Sequence, residues 1–283
     1  MIPFQFDYAA PREVGEAVAL LQRTANAMPL AGGLSLLPAM TSRCLTPALL
    51  VDLGSTAGLQ GISTPGGGLR IGAMTTCTAI ISSAPVRQQA AALAQAAGSI
   101  ADPQVRNRST LGGALAYADP AGDLAPAALV LDARVEVRGP QGTRTLPMDQ
   151  FIVGPFRTAL APGEIITAAV FPGGNLASAY VKFKNPGSSY GICGVAAAVG
   201  RGSDGRVRVC RIAVTGATDH PMRLSLVEAA LQGQEMTPEM VAQAAALAAD
   251  PRLAFRSDFF TTAAYRAHLT AVLVKRALSA LLA

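Results

Sequence analysis

The sequence predicts an α+β chain in three successive units: a small α/β unit, a larger α+β unit, and a C-terminal antiparallel sheet carrying helices. Three observations predict it. Near the N-terminus an amphipathic helix and two short apolar runs are read as a strand and helix alternation of the kind that gives parallel pairing. Two stretches rich in turn-forming residues, Gly54 to Gly68 and Pro172-Gly173-Gly174, interrupt the pattern where units would join. After the second, β-type runs joined by short turns imply antiparallel pairing, and helical segments follow. A length of 283 residues leads one to expect two or three domains, and the expected units are 1–56, 57–174 and 175–283.

Taken in order, residues 12 to 23 place Val14, Ala17, Val18 and Leu21 on one helical face, with Pro11 set for the first turn. A strand around Met28 to Ala31 enters the Gly32-Gly33 turn. Ala48 to Leu53 reads as a buried strand by its length and bounding residues. Leu69 to Ala73 is an expected strand, and Thr75 to Ser82 and Pro85 to Ala97 are expected helices. The run from Gln104 onward reads as a loop, and Ala127 to Asp132 as helix or buried strand. Arg134 to Arg138 alternates as a half-exposed strand does, and Gly139-Pro140-Gln141-Gly142 turns it into Thr143 to Leu146. Glu164 to Phe171 is one more strand. Ala179 to Lys184, Gly191 to Val199 and Val207 to Thr215 make the last sheet. Helices follow at Ser225 to Leu231 and Pro238 to Ala249, and a terminal one carries an i, i+4 stripe of Tyr265, Leu269, Leu273, Ala277 and Leu281.

Composition excludes more than it selects. About half the residues are apolar and 14% are charged, so the chain is globular. The net charge of +5 comes from dispersed Lys and Arg, and aromatics make up 5% with no Trp. A platform for nucleic acid is not expected. Cys44, Cys77, Cys193 and Cys210 are far apart, with only His220 and His268 to join them. That argues against zinc or iron-sulfur ligation and against a disulfide framework, and leaves reduced thiols as the expectation. No basic segment followed by an apolar core opens the chain, and no uninterrupted span-length apolar run points to a membrane. The expected location is cytoplasmic.

The chain is organised around the run from Gln104 to Asp132 and an earlier Gly-Gly pair at Ala31-Gly32-Gly33-Leu34-Ser35. A Gly-Gly pair alone marks a tight turn. Here each pair has a hydroxyl residue close by and sits where one element gives way to another. Thr110, Gly112 and Gly113 offer small side chains and backbone N–H groups able to converge on phosphate oxygen. Asp123 follows where a carboxylate can meet ribose hydroxyls.

With both loops placed, the chain resembles the FAD-binding medium subunits of the molybdenum hydroxylases, a family that includes the xanthine dehydrogenase flavin domain. The motifs that carry the resemblance are Phe6-Asp7-Tyr8, LAGGLSLLP from Leu30 to Pro38, VDL from Val51 to Leu53 and IGAMTT from Ile71 to Thr76. They continue with QVRN from Gln104, TLGG from Thr110, ADPAGDL from Ala118, PGEIIT from Pro162 and GVAAAV from Gly194. The resemblance implies a two-part, vanillyl-alcohol-oxidase-like FAD-binding fold made by the first two units, with the last packed beside it. It implies that Leu30, Ala31, Gly32, Gly33, Leu34, Ser35 and Leu36 together with Thr110, Gly112, Gly113 and Ala114 meet the FAD diphosphate. Ile100 and Ala101 match positions near the flavin nucleotide, and Asp119 and Asp123 match polar contacts. Ile166 and Lys182 correspond to further contacts, and Tyr190 to a tyrosine that covers the isoalloxazine. Tyr190 also reads as a sheet residue with its hydroxyl at the rim, and Lys182 as a solvated strand residue.

Two positions depart from the family pattern: Ala114 replaces an Asn, and Leu34 stands where a polar residue is usual. Each removes one side-chain hydrogen bond, worth about 1 kcal/mol, which implies weaker FAD. The implied role is an oxidoreductase's electron-transfer subunit, with no catalytic acid or base and no metal of its own. It takes electrons from iron-sulfur clusters in a small subunit, fed by a large molybdenum-cofactor subunit, in a heterohexamer built as a dimer of heterotrimers. It hands them to an acceptor such as NAD, a quinone or oxygen. The rivals are a non-catalytic scaffold that has lost FAD and a stand-alone flavin oxidoreductase.

Overall fold

The computed structural model describes residues 2–174 and 176–282; Asn175, the expected first residue of the last unit, lies outside them. The first unit runs β1 (Asp7–Ala9), α1 (Val14–Arg23), β2 (Ala27–Leu30), α2 (Leu36–Thr41) and β3 (Leu49–Asp52). β3 lies between β1 and β2 and pairs parallel with both. Helix α1 turns Ala17, Val18 and Leu20 inward to meet Leu49 and Val51 of β3 in one small core. Strand β1 was not expected; it is short and largely exposed, and Tyr8 Oη holds it by donating to Asp52 Oδ2 at 2.5 Å. Parallel pairing sends the loop after β2 to the carboxyl ends of the strands, where open α/β sheets receive ligands.

The middle unit has β4 (Ile62–Ser63), β5 (Leu69–Gly72), α3 (Cys77–Ser82), α4 (Ala84–Gln89), α5 (Ala91–Gly98), α6 (Pro103–Arg108), α7 (Leu111–Tyr117) and α8 (Leu124–Val130). Then come β6 (Arg134–Gly139), β7 (Gly142–Pro147), α9 (Met148–Phe151), β8 (Ile152–Gly154), β9 (Arg157–Thr158) and β10 (Ile165–Phe171). A five-stranded sheet has the order β4-β5-β10-β6-β7, and β8 pairs with β9. Gly139 faces Gly142 across the two-residue turn of the expected hairpin.

Two expectations fail here for identifiable reasons. The single helix read over Pro85 to Ala97 breaks at Ala90, which has φ −141° and ψ 51°. Past the break, the amide of Ala92 donates to Ser178 Oγ at 3.1 Å, a contact from a distant part of the sequence. The run from Gln104, read as a loop, contains most of α6 and all of α7 and α8. Asp102 Oδ1 caps α6 by accepting from Val105 N at 2.9 Å, with Pro103 in the first turn, and Thr110 caps α7. Between helix and buried strand for 127–132, the chain is mainly helix, and α8 is buried along its whole length.

The last unit opens with β11 (Ala177–Lys184), β12 (Gly191–Arg201), β13 (Val207–Thr215) and β14 (Met222–Arg223), antiparallel in that order. Helices α10 (Ser225–Leu231), α11 (Pro238–Ala246) and α12 (Ala263–Ser279) follow. Both faces of the sheet are covered. Ala196 and Ala198 of β12 join the core of the middle unit, whereas Val195, Ala197 and Val199 join the core under the C-terminal helices. That is why β12 reads as a nearly unbroken apolar run. Along α12 the expected stripe is buried at Leu269, Leu273, Ala277 and Leu281, while Tyr265 stands in solvent.

Candidate functional site

The loop after β2 has a shape that only glycine allows. Gly33 has φ +81°, and a methyl on Gly32 would lie 2.8 Å from the carbonyl carbon of Arg108 and closer to its oxygen. The loop is fixed at both ends, by Leu53 N donating to Leu30 O at 2.9 Å and Leu37 N donating to Gly33 O at 3.0 Å. Between them the N–H groups of Gly32, Gly33, Leu34, Ser35 and Leu36 have no protein acceptor among the described residues. Five successive unpaired amides make an anion-binding concavity.

The second glycine loop works differently, and the expectation that its amides are donors to a ligand is corrected. Leu111 N donates to Thr75 O at 3.1 Å, Gly112 N to Ala73 O at 2.8 Å and Ala114 N to Thr110 O at 3.0 Å. Gly113 N donates to Thr110 Oγ1 at 3.1 Å. The first two hold α7 against the turn that follows β5, and the other two are taken up by its own cap. What the two glycines supply is close approach: a methyl on Gly112 would lie 2.9 Å from Ala73 Cα, and one on Gly113 would lie 3.4 Å from Ala31 Cβ. The two loops therefore touch, one bearing free donors and the other a smooth wall.

They line one cleft of about 550 Å³ to which all three units contribute. Every expected site residue lines it except Leu30, which lies in β2 behind the loop. Ile100 and Ala101 are held in place by Arg106, whose guanidinium donates to their carbonyls at 2.8 and 3.1 Å. Ala114 and Leu34, the two departures from the family pattern, both face the cleft. Sequence reasoning missed Met74, Tyr117, Leu160 and Glu164, which also line it. Met74 lies inside IGAMTT and Glu164 immediately before Ile165-Ile166, so each was within reach of a motif already noted.

At one end Tyr190 Oη donates to Asp119 Oδ1, which also accepts from Ala121 N at 2.8 Å. Burial, and then the carboxylate, push the Tyr190 phenol well above its ordinary value. Asp123 was expected to face ribose hydroxyls; instead both its oxygens are engaged by protein. Oδ1 accepts from Tyr180 Oη at 2.6 Å and Oδ2 from Lys182 Nζ at 2.8 Å. Burial raises its carboxyl above the usual range, and Lys182 and Tyr180 oppose that rise. Lys182 is accordingly a buried, paired cation rather than a solvated one. Burial pushes the Cys77 thiol up to about 11, and among the described residues no cluster of His, Cys, Asp or Glu can hold a metal ion.

Comparison with known proteins follows this geometry. Residues 4–174 match a family described as FAD binding domain in molybdopterin dehydrogenase, and residues 178–281 match the CO dehydrogenase flavoprotein C-terminal domain. The chain is 39% identical to the carbon monoxide dehydrogenase medium chain of Hydrogenophaga pseudoflava, over 99% of this chain and 98% of that one. It is 38% identical to the nicotine 6-hydroxylase medium subunit of Paenarthrobacter nicotinovorans, over 95% and 94%. A solved structure of the Hydrogenophaga pseudoflava carbon monoxide dehydrogenase superposes with a TM-score of 0.94, covering 99% of this chain and 98% of that one at 39% identity.

Proposed function

The chain belongs to the family of FAD-binding medium subunits of the molybdenum hydroxylases, and from that membership we infer that it is the flavin-carrying, electron-transferring subunit of a molybdenum-containing hydroxylase or dehydrogenase complex. The observation that carries the reading is the row of five unpaired amides from Gly32 to Leu36, lining a cleft whose wall continues through Thr110 and Gly112 to Ala114. The residues present fit FAD. A diphosphate suits the free amides, the glycine wall lets it approach, and apolar groups such as Met74, Leu160 and Ile166 suit the flat rings.

Bound FAD supplies the ability to accept electrons singly and release them in pairs. The chain's residues bind and orient it. The amides of Gly32 to Leu36 would hold the diphosphate, Ile100 and Ala101 would flank the nucleotide, and Tyr190, fixed by Asp119, would cover the ring. No acid or base is needed for electron transfer, and the buried thiols take no part. The units 1–56, 57–174 and 175–283 belong to the same reading, the first two clasping FAD and the third closing the cleft.

The partners are a large molybdenum-cofactor subunit and a small iron-sulfur subunit, arranged as a dimer of heterotrimers in the cytoplasm. Among the described residues no helix is long and apolar enough to cross a membrane. The acceptor is an external oxidant such as NAD, a quinone or oxygen. Reconstitution tests the reading: the purified chain, incubated with FAD and freed of excess, should retain stoichiometric flavin, and its native complex should contain molybdenum and iron. A folded chain that retains no flavin returns the scaffold reading. Flavin without associated metals returns the stand-alone oxidoreductase.

A further inference from the structure

Where the middle unit meets the C-terminal sheet, three buried polar groups come together: Asp123 and Lys182 form part of the cleft wall, and Tyr180 is bonded to Asp123. Asp123 stands at the start of α8, and Tyr180 and Lys182 on β11. The side chains of Lys182 and Asp123 are 6% and 8% exposed. An ammonium carries three N–H donors. One meets Asp123 Oδ2 at 2.8 Å and a second Ser99 O at 3.3 Å. The third has no protein acceptor among the described residues, and Lys182 lines the cleft. Its Cε lies 3.5 Å from where a methyl on Gly191 would stand, and both Lys182 and Tyr190, the residue before Gly191, line the cleft.

The backbone is shaped around this group. Gly194 of β12 pairs with Lys182. A methyl there would lie 3.0 Å from Tyr180 Cζ and closer to its hydroxyl, so glycine leaves the phenol room to reach the carboxylate. Other charges facing the cleft are already engaged. Asp119 is bound by Tyr190 and Glu164 by Arg144.

On the flavin reading given above, we propose that Asp123 is a positioning residue: it aims and charge-balances Lys182, whose remaining N–H meets an acceptor on the ring end of FAD, while Tyr180 fixes the carboxylate. A lone buried ammonium would be strongly disfavoured. Paired, it places a cation in a dry wall without adding net charge, and charge placed beside the flavin ring sets the cofactor's electronic properties.

The test uses the full chain loaded with FAD, and three variants: Asp123→Asn, Lys182→Met, and the two together. The readings are the FAD dissociation constant from flavin fluorescence and the flavin midpoint potential from dye-equilibrated reduction. Asp123→Asn should weaken FAD about 10- to 100-fold and raise the potential, because the unbalanced cation favours the more negative reduced ring. Added to Lys182→Met, the same substitution should change neither reading further. An equal loss of affinity in both backgrounds would make the carboxylate a direct ligand and overturn the proposal. Should Asp123→Asn not fold, Tyr180→Phe carries the test. It should weaken FAD about 3- to 10-fold with Lys182 present and not at all in the Lys182→Met chain; equal loss in both overturns the proposal. A wild-type chain that takes up no flavin overturns the flavin reading itself, whereas a loaded wild type with additive losses overturns only the role given to Asp123.

Discussion

Gly32→Ala tests the first loop most directly. The new methyl would stand 2.8 Å from the Arg108 carbonyl carbon and 3.4 Å from Ser109 Cα. Carbon atoms rest at about 3.5–4.0 Å, so loop and helix end must separate by about 1 Å. Neither side is free to yield. Ser109 N donates to Val105 O at 2.8 Å and Ser109 O accepts from Cys77 N at 2.9 Å, while Leu30 and Gly33 anchor the loop on its own side. The displacement therefore falls on the five unpaired amides. A hydrogen bond to a charged group contributes about 1.5–3 kcal/mol, so losing one predicts a rise in the FAD dissociation constant of about 10- to 150-fold. The assay is a fluorescence titration of the stripped chain with FAD, beside a thermal melt without it. Gly15→Ala in α1 is the control, since a methyl there meets nothing within 4 Å; it should leave FAD affinity unchanged. Wild-type affinity in Gly32→Ala, with an unchanged melt, would refute the assignment of these amides to the diphosphate.

Three further outcomes are expected. Ala114→Asn restores the family's side chain in the cleft wall and should tighten FAD by about 3- to 10-fold in the same titration. Glu164 is held below the usual carboxyl range, first by its hydrogen bonds with Arg144, at 2.7 Å to each oxygen, and it accepts from Ala161 N at 2.6 Å. A lowered folded-state value gives stability that is present above pH 4.5 and lost as pH falls through that lowered value. Because Arg144 is 42% exposed, Glu164→Gln should destabilise by only about 1 kcal/mol at pH 7, and urea melts should show the difference shrinking toward pH 3. Finally, Cys44 is exposed, whereas burial raises Cys77 and Cys193 to about 11 and Cys210 to about 12. Iodoacetamide at pH 8 should label only Cys44 in the folded isolated chain, and mass spectrometry of the digested product reads this directly.

Periodicity made the outer frame of the fold legible. Strand β3, the β6–β7 hairpin and the three long strands of the last sheet each follow from alternation or from a bounded apolar run, because local burial patterns decide them. What stayed hidden depends on distant contacts. No local feature of the Ala-rich stretch marks Ala90 as a break; beyond it the amide of Ala92 is taken up by the hydroxyl of Ser178, from a strand far along the chain. Helix α7 was hidden because Gly112-Gly113 resembles a turn. Its stability comes from the Thr110 cap and from amides bound to Ala73 and Thr75, a tertiary arrangement that overrides weak helix propensity.

The same limit separates the two glycine loops. In the sequence they look equivalent, a Gly-Gly pair with a hydroxyl neighbour in each, and both suggest donors. Which amides remain available depends on what each loop rests against. The first leaves a parallel strand and turns at positive φ before its helix begins, so its N–H groups point to no carbonyl. The second rests against the turn after β5, and its amides are satisfied by Ala73 and Thr75 there and by its own cap. A sequence can show that the backbone approaches a ligand closely at both places, but only the hydrogen-bond inventory assigns the donor role to Gly32–Leu36. It follows that glycine replacements should affect FAD by different routes: at Gly32 by displacing donors, and at Gly112 by prising α7 from β5, with a lowered melt accompanying the loss of flavin.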